Sequence, residues 1–62
     1  MVQTGDYVRY YGVDHTFEGW IVTTFPKRNG AIRCVVENRD GVLHILDPER
    51  LVRRPGPTGE QG

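Results

Sequence analysis

Four short runs carry most of the β-branched and aromatic residues of the chain: DYVRYY over 6–11, FEGWIVTTF over 17–25, AIRCVVEN over 31–38 and VLHIL over 42–46. None is long enough to trace a persuasive helical stripe, and such residues favour a pleated, half-buried surface. Between the runs stand Gly5-Asp6, Gly12-Val13-Asp14, Pro26 to Gly30, Asn38 to Gly41 and Asp47-Pro48, which are residue types that turn a chain. Asn29-Gly30 and Asp40-Gly41 tolerate positive φ, so the second, third and fourth runs are predicted to form an antiparallel meander. Ile21, Val36 and Ile45 are its expected contributors to the interior. DPERL over 47–51 predicts one tight helical turn, with Asp47 capping and Pro48 at the first helical position. LVRR over 51–54 then supplies a short last strand. The outline is all-β: a five-stranded SH3-like barrel over residues 1–54, with one helical turn before the last strand. From Pro55 the chain reads PGPTGEQG, without a large apolar residue, which predicts a disordered C-terminal tail over 55–62.

Within VLHIL, Val42, His44 and Leu46 alternate with Leu43 and Ile45. A polar imidazole therefore interrupts an otherwise apolar row, and any function has to account for it.

Composition narrows the choices. With 62 residues, 8 Lys plus Arg, 8 Asp plus Glu and a formal charge of zero, the chain reads as one small soluble domain with no strong polyelectrolyte partner. No run approaches the ~20 apolar residues of a membrane span or the ~7–15 of a signal-peptide core, so a cytoplasmic location and no membrane partner are the default expectations. Cys34 is the one cysteine, which removes an internal disulfide and a thiol cluster for zinc. A chain this short buries a smaller fraction of its surface than a larger domain does. Covering exposed strand faces with a second copy is a common remedy, so a homo-oligomer, dimer or tetramer, is expected.

Candidate chemistry is sparse. The chain contains no serine, so a Ser-His-Asp site is excluded. His15 beside Asp14, Cys34 and His44 have no close metal-ligand spacing, and no metal is expected. Cys34 sits mid-strand, where a small buried hydrophobe is the ordinary role. Lys27, Arg28, Arg50, Arg53 and Arg54 are the candidate nucleic-acid contacts, with tyrosines and Trp20 as stacking surfaces. Asp47 and Glu49 near Arg50, and Asp40 after Arg39, break up that charge, so a solvated mixed surface is the expected reading.

GDYVR, FEGWIV, VVE and VLHILDPERL together resemble the core of the type II dihydrofolate reductases, small SH3-like barrels unrelated to ordinary dihydrofolate reductase. The resemblance spans about residues 5 to 54, and its discriminating part is the fourth motif, Val-Gln-Ile-Tyr in the family, which falls on Leu43 to Leu46. The first two motifs also resemble KOW-type modules. The reductase resemblance implies four subunits around a shared pore that holds NADPH and dihydrofolate, with catalysis by positioning two rings for hydride transfer. Carried over by position, the implied pore lining is Leu43, His44 for the glutamine, Ile45 for the isoleucine, Leu46 for the tyrosine and Tyr10 for the pore-mouth lysine. Three of the family's four lining residues, the glutamine, isoleucine, tyrosine and lysine, are thus replaced, and a shared fold does not carry function across a changed site. The leading expectation is a binding or assembly module. The alternatives are an NADPH-dependent reductase working as a homotetramer, then a nucleic-acid-binding module.

Overall fold

The computed structural model describes residues 2–56. Residues 57–62 of the predicted tail lie outside the described residues, and Pro55 and Gly56 are exposed. Strands β1 (Tyr7–Tyr11), β2 (Thr16–Pro26), β3 (Ile32–Asn38) and β4 (Leu43–Leu46) are followed by a 3-10 turn (Pro48–Arg50) and β5 (Leu51–Arg53). They form one antiparallel sheet in the order β4-β3-β2-β1-β5. The sheet is open: β4 and β5 are its two edges and do not pair with each other. No helix among the described residues is long and apolar enough to cross a membrane.

The meander is closed by two loops of the same design. Gly30 N–H donates to Lys27 O at 3.0 Å and Lys27 N–H to Ala31 O at 2.6 Å; Gly41 N–H donates to Asn38 O at 3.0 Å and Asn38 N–H to Val42 O at 3.0 Å. Each is a three-residue hairpin loop whose last residue is a glycine at positive φ, 87° and 83°, where a side chain would be strained. Asn29 and Asp40 precede those glycines without adopting positive φ themselves, since no non-glycine residue among those described does.

Strand β2 carries a bulge. Ile21 pairs with Val36 and Thr23 with Val35, leaving Val22 as an extra residue. Before it, Phe17, Gly19 and Ile21 point inward; after it, Thr24 does, opposite buried Cys34. An extra residue of this kind bends a strand and increases its twist. The inner face then gathers one cluster from four strands, Val8, Ile21, Cys34, Val36 and Leu51, with Val2, Tyr10, Phe17 and Leu46 packed against it. The core of Ile21 and Val36 stands as expected. Ile45 does not join it: it is 55% exposed, because it sits one residue out of phase with the inward His44 and Leu46 on β4.

Gly19 marks a close approach. A Cβ there would lie 2.2 Å from the backbone oxygen of Glu37, so the β2–β3 pairing at this point admits glycine alone. The 3-10 turn has Pro48 at its start as expected, but the Asp47 side chain makes no capping hydrogen bond. Its Oδ1 is drawn instead to within 3.2 Å of Arg33 Nε on β3, without the alignment of a hydrogen bond.

Candidate functional site

The fourth strand divides its residues between two surfaces. Because Asn38 N–H bonds Val42 O, the hydrogen-bonded pairs of β3 and β4 fall at 38 with 42, then, by the register, Val36 with His44 and Cys34 with Leu46. In an antiparallel ladder such pairs alternate with non-bonded ones. The main-chain N–H and C=O groups of Leu43 and Ile45 therefore point away from β3, along the free edge. Their side chains also lie on the outer face, 59% and 55% exposed. Ile45 is opposite Val35, which is opposite Thr23. Val22 and Phe25 are exposed on the same stretch of β2, with Phe25 opposite the Arg33 position. The result is an apolar outer surface across β2, β3 and β4 that runs to an uncovered edge.

His44 faces the other way. Its ring centroid lies 4.3 Å from that of Phe17, and Phe17 is itself 5.2 Å from Tyr10 and 5.9 Å from His15. Asn38 fixes its hydrogen bonding. Asn38 Oδ1 accepts from Asp40 N–H at 2.9 Å and Val42 N–H at 3.0 Å, so its amide nitrogen is the group left to face His44 Nε2, at 3.3 Å. Nδ2 then donates to Nε2, an arrangement met by the tautomer that carries its proton on Nδ1. The imidazole interrupting the apolar row is thus a half-buried ring packed at a tilt against Phe17 and tied to the hairpin loop.

The implied pore lining consequently splits. Tyr10, His44 and Leu46 lie on the inner side, with Tyr10 and Leu46 against the core, whereas Leu43 and Ile45 lie on the outer face. Phe17, Asn38, Val22 and Phe25 were not among the residues singled out from the sequence. Asn38 had a readable signal, since an Asn ahead of a turn glycine often bonds backbone N–H groups two residues on. The outer apolar patch had none, because the bulge at Val22, which turns Phe25 outward, shifts the alternation without marking it.

The basic residues are likewise dispersed. Lys27 and Arg28 sit at the β2–β3 loop. Arg50 reaches Tyr11 O at 3.4 Å, Arg53 lies 3.3 Å from Asp6 and Arg54 4.0 Å from Glu18. Glu18 also holds Arg9 at 3.4 Å and accepts from the Tyr7 hydroxyl at 2.7 Å. Exposed pairs of this kind contribute little stability, about 0–1 kcal/mol each, but here they set carboxylates among the cations a polyanion would need. Trp20 lies edge-on to Tyr7 at 4.8 Å, covering a buried ring, and Tyr11 is exposed with Arg9 over it. No group of three or more potential metal ligands occurs among the described residues.

Two buried groups make the domain sensitive to base. Burial pushes the Cys34 thiol up, and the charge of Asp47 adds to the effect. Burial also pushes the Tyr7 phenol up, helped by the hydrogen bond to Glu18 and opposed by Arg39. A folded-state value above the unfolded one means stability present in full below the ordinary thiol value of about 8.5 and lost as pH rises through the raised values. The urea midpoint should hold between about pH 7 and 8 and fall above about pH 9, and Cys34→Ala with Tyr7→Phe should flatten that fall. An unchanged alkaline slope in the double variant would show that neither group is responsible.

Compared with protein-family models, with curated proteins and with solved structures, the chain finds no match.

Proposed function

We propose that the chain is a small SH3-like barrel module that acts by assembly and binding, with the outer surface of β2, β3 and β4 as its contact face. The carrying observation is the run of exposed Val22, Phe25, Leu43 and Ile45 with half-buried Val35 between them, on a sheet whose β4 edge is bare. Scattered exposed apolar residues are ordinary, but a contiguous patch on one face is characteristic of contact surfaces. The SH3-like reading is supported by the strand order, the bulged β2, the 3-10 turn directly before β5 and the core gathered on one face. A homo-oligomer, dimer or tetramer, is the arrangement that covers this face in a domain with so small a core.

The reductase alternative draws less support. Tyr10 stands where the resemblance implies a cation for the NADPH phosphate or the folate carboxylates, and it packs on Phe17. His44 Nε2 is occupied by Asn38.

Sedimentation equilibrium tests the proposal. The wild type should exceed the monomer mass, and Val22→Glu with Phe25→Glu, which desolvates charge on the contact face if it is covered, should return it to monomer with the fold intact by circular dichroism. A wild type that stays monomeric at every concentration would overturn the assembly reading and the shared-pore reductase with it, whereas a tetramer that survives both substitutions and saturates with NADPH would overturn the contact face in favour of the enzyme.

A further inference from the structure

The two edges of the sheet are unlike. β5 is three residues long and ends at Arg53; Arg53 and the following Arg54 engage Asp6 and Glu18. β4, Leu-His-Ile-Leu, has no charge, no proline and no bulge, the features that normally blunt an exposed edge. Its free backbone groups belong to Leu43 and Ile45, the residues whose side chains are also bare.

We infer that the β4 edge pairs antiparallel with the β4 edge of a second copy, in a register centred on His44, giving one continuous ten-stranded sheet. This rests on the assembly reading above and adds the surface and the register. A second copy is the occupant because the edge is self-complementary. With the two-fold axis at His44, Leu43 faces the partner's Ile45 and Ile45 faces the partner's Leu43. Both are hydrogen-bonded pairs, so four main-chain bonds form from groups that are otherwise turned to solvent. Neighbouring registers do worse. Centring on Leu43 draws Gly41 into the ladder, where its φ of 83° is not extended. Centring on Ile45 draws in Asp47, beyond the end of the strand.

Side chains agree with the same register. Leu43 and Ile45 of each copy become cross-strand neighbours on the outer face, joining two apolar surfaces into one. His44 stands opposite the partner's His44 on the inner side, in a non-bonded pair. Asp47 falls opposite a glycine and Asp40 opposite a proline, so no like charges directly oppose. The bare edge, the alternation and the charge pattern thus select one partner and one alignment.

Ile45→Pro is the discriminating variant. It deletes the outward N–H and no bond to β3, and an edge strand tolerates proline at such a position. Sedimentation equilibrium should show an oligomeric wild type, an oligomeric Ile45→Val and a monomeric Ile45→Pro that keeps its β-sheet circular dichroism. Amide exchange on the wild type is the second measurement. The Leu43 and Ile45 amides should slow at least ~10-fold from dilute to concentrated protein, the change expected when an exposed amide becomes paired. A folded Ile45→Pro that remains oligomeric, or Leu43 and Ile45 amides that exchange freely in the oligomer, would refute edge pairing while leaving the assembly reading in place. A monomeric wild type would refute both. Should Ile45→Pro fail to fold, the exchange result decides alone.

Discussion

Gly19→Ala should destabilise the domain by roughly 3 kcal/mol or more, through a mechanism unrelated to glycine's flexibility. The added methyl would lie 2.2 Å from Glu37 O and 2.8 Å from its carbonyl carbon. Those are backbone atoms of the central strand pair, so no side chain can swing aside to make room. Relief requires β2 and β3 to separate where Gly19 pairs with Asn38 and Trp20 with Glu37, which would loosen the seat of Trp20 over Tyr7. A single core in a chain of this size supplies about 3–5 kcal/mol in total, so the variant should be largely unfolded near its former melting midpoint. Thermal circular dichroism should record a fall of about 15 °C or more. A midpoint within a few degrees of wild type would mean that the strands part at little cost.

Ile21→Ala should cost about 2–5 kcal/mol, the usual range for emptying a fully buried branched side chain. Ile21 is 1% exposed and touches a cluster to which four strands contribute, so its cavity would lie where β1, β2, β3 and β5 meet. Ile45→Ala should change the stability of the monomer by no more than about 0.5 kcal/mol, since its side chain lies outside that core. Urea unfolding of both variants in dilute solution, where association does not contribute, makes the comparison. Equal losses would place Ile45 in the interior, where alternation alone would put it.

That contrast shows what could be read from the residues. The five strands, their order of appearance and the turn before β5 were legible because each is short, rich in β-branched or aromatic residues and bounded by Gly, Pro, Asn or Asp. Which face each strand turns inward was less so. In VLHIL both rows are largely apolar, and the row containing the histidine is the one that faces the core, since Asn38 and Phe17 supply that histidine with partners on the inner side. Hydrophobicity alone would choose Leu43 and Ile45. The residues named from the fourth motif were therefore adjacent in sequence but split between two surfaces. Similarly, Asp47 has the right identity for a cap, yet Arg33, brought beside it by the β3–β4 pairing, competes for its carboxylate. Tertiary neighbours decided both cases.

The inequality of the two edges bears on size. A sheet that accepts strands at both ends can lengthen without limit, which is how fibrils grow. Here the β5 edge presents three residues and a pair of guanidinium groups held by carboxylates, and two such edges meeting would set arginines against arginines. Joining at β4 consumes the one receptive edge of each copy and leaves only the refractory ones outside. Growth by edge addition would then stop at a pair, so a bare hydrophobic strand, ordinarily a hazard for solubility, would be confined to a finite particle.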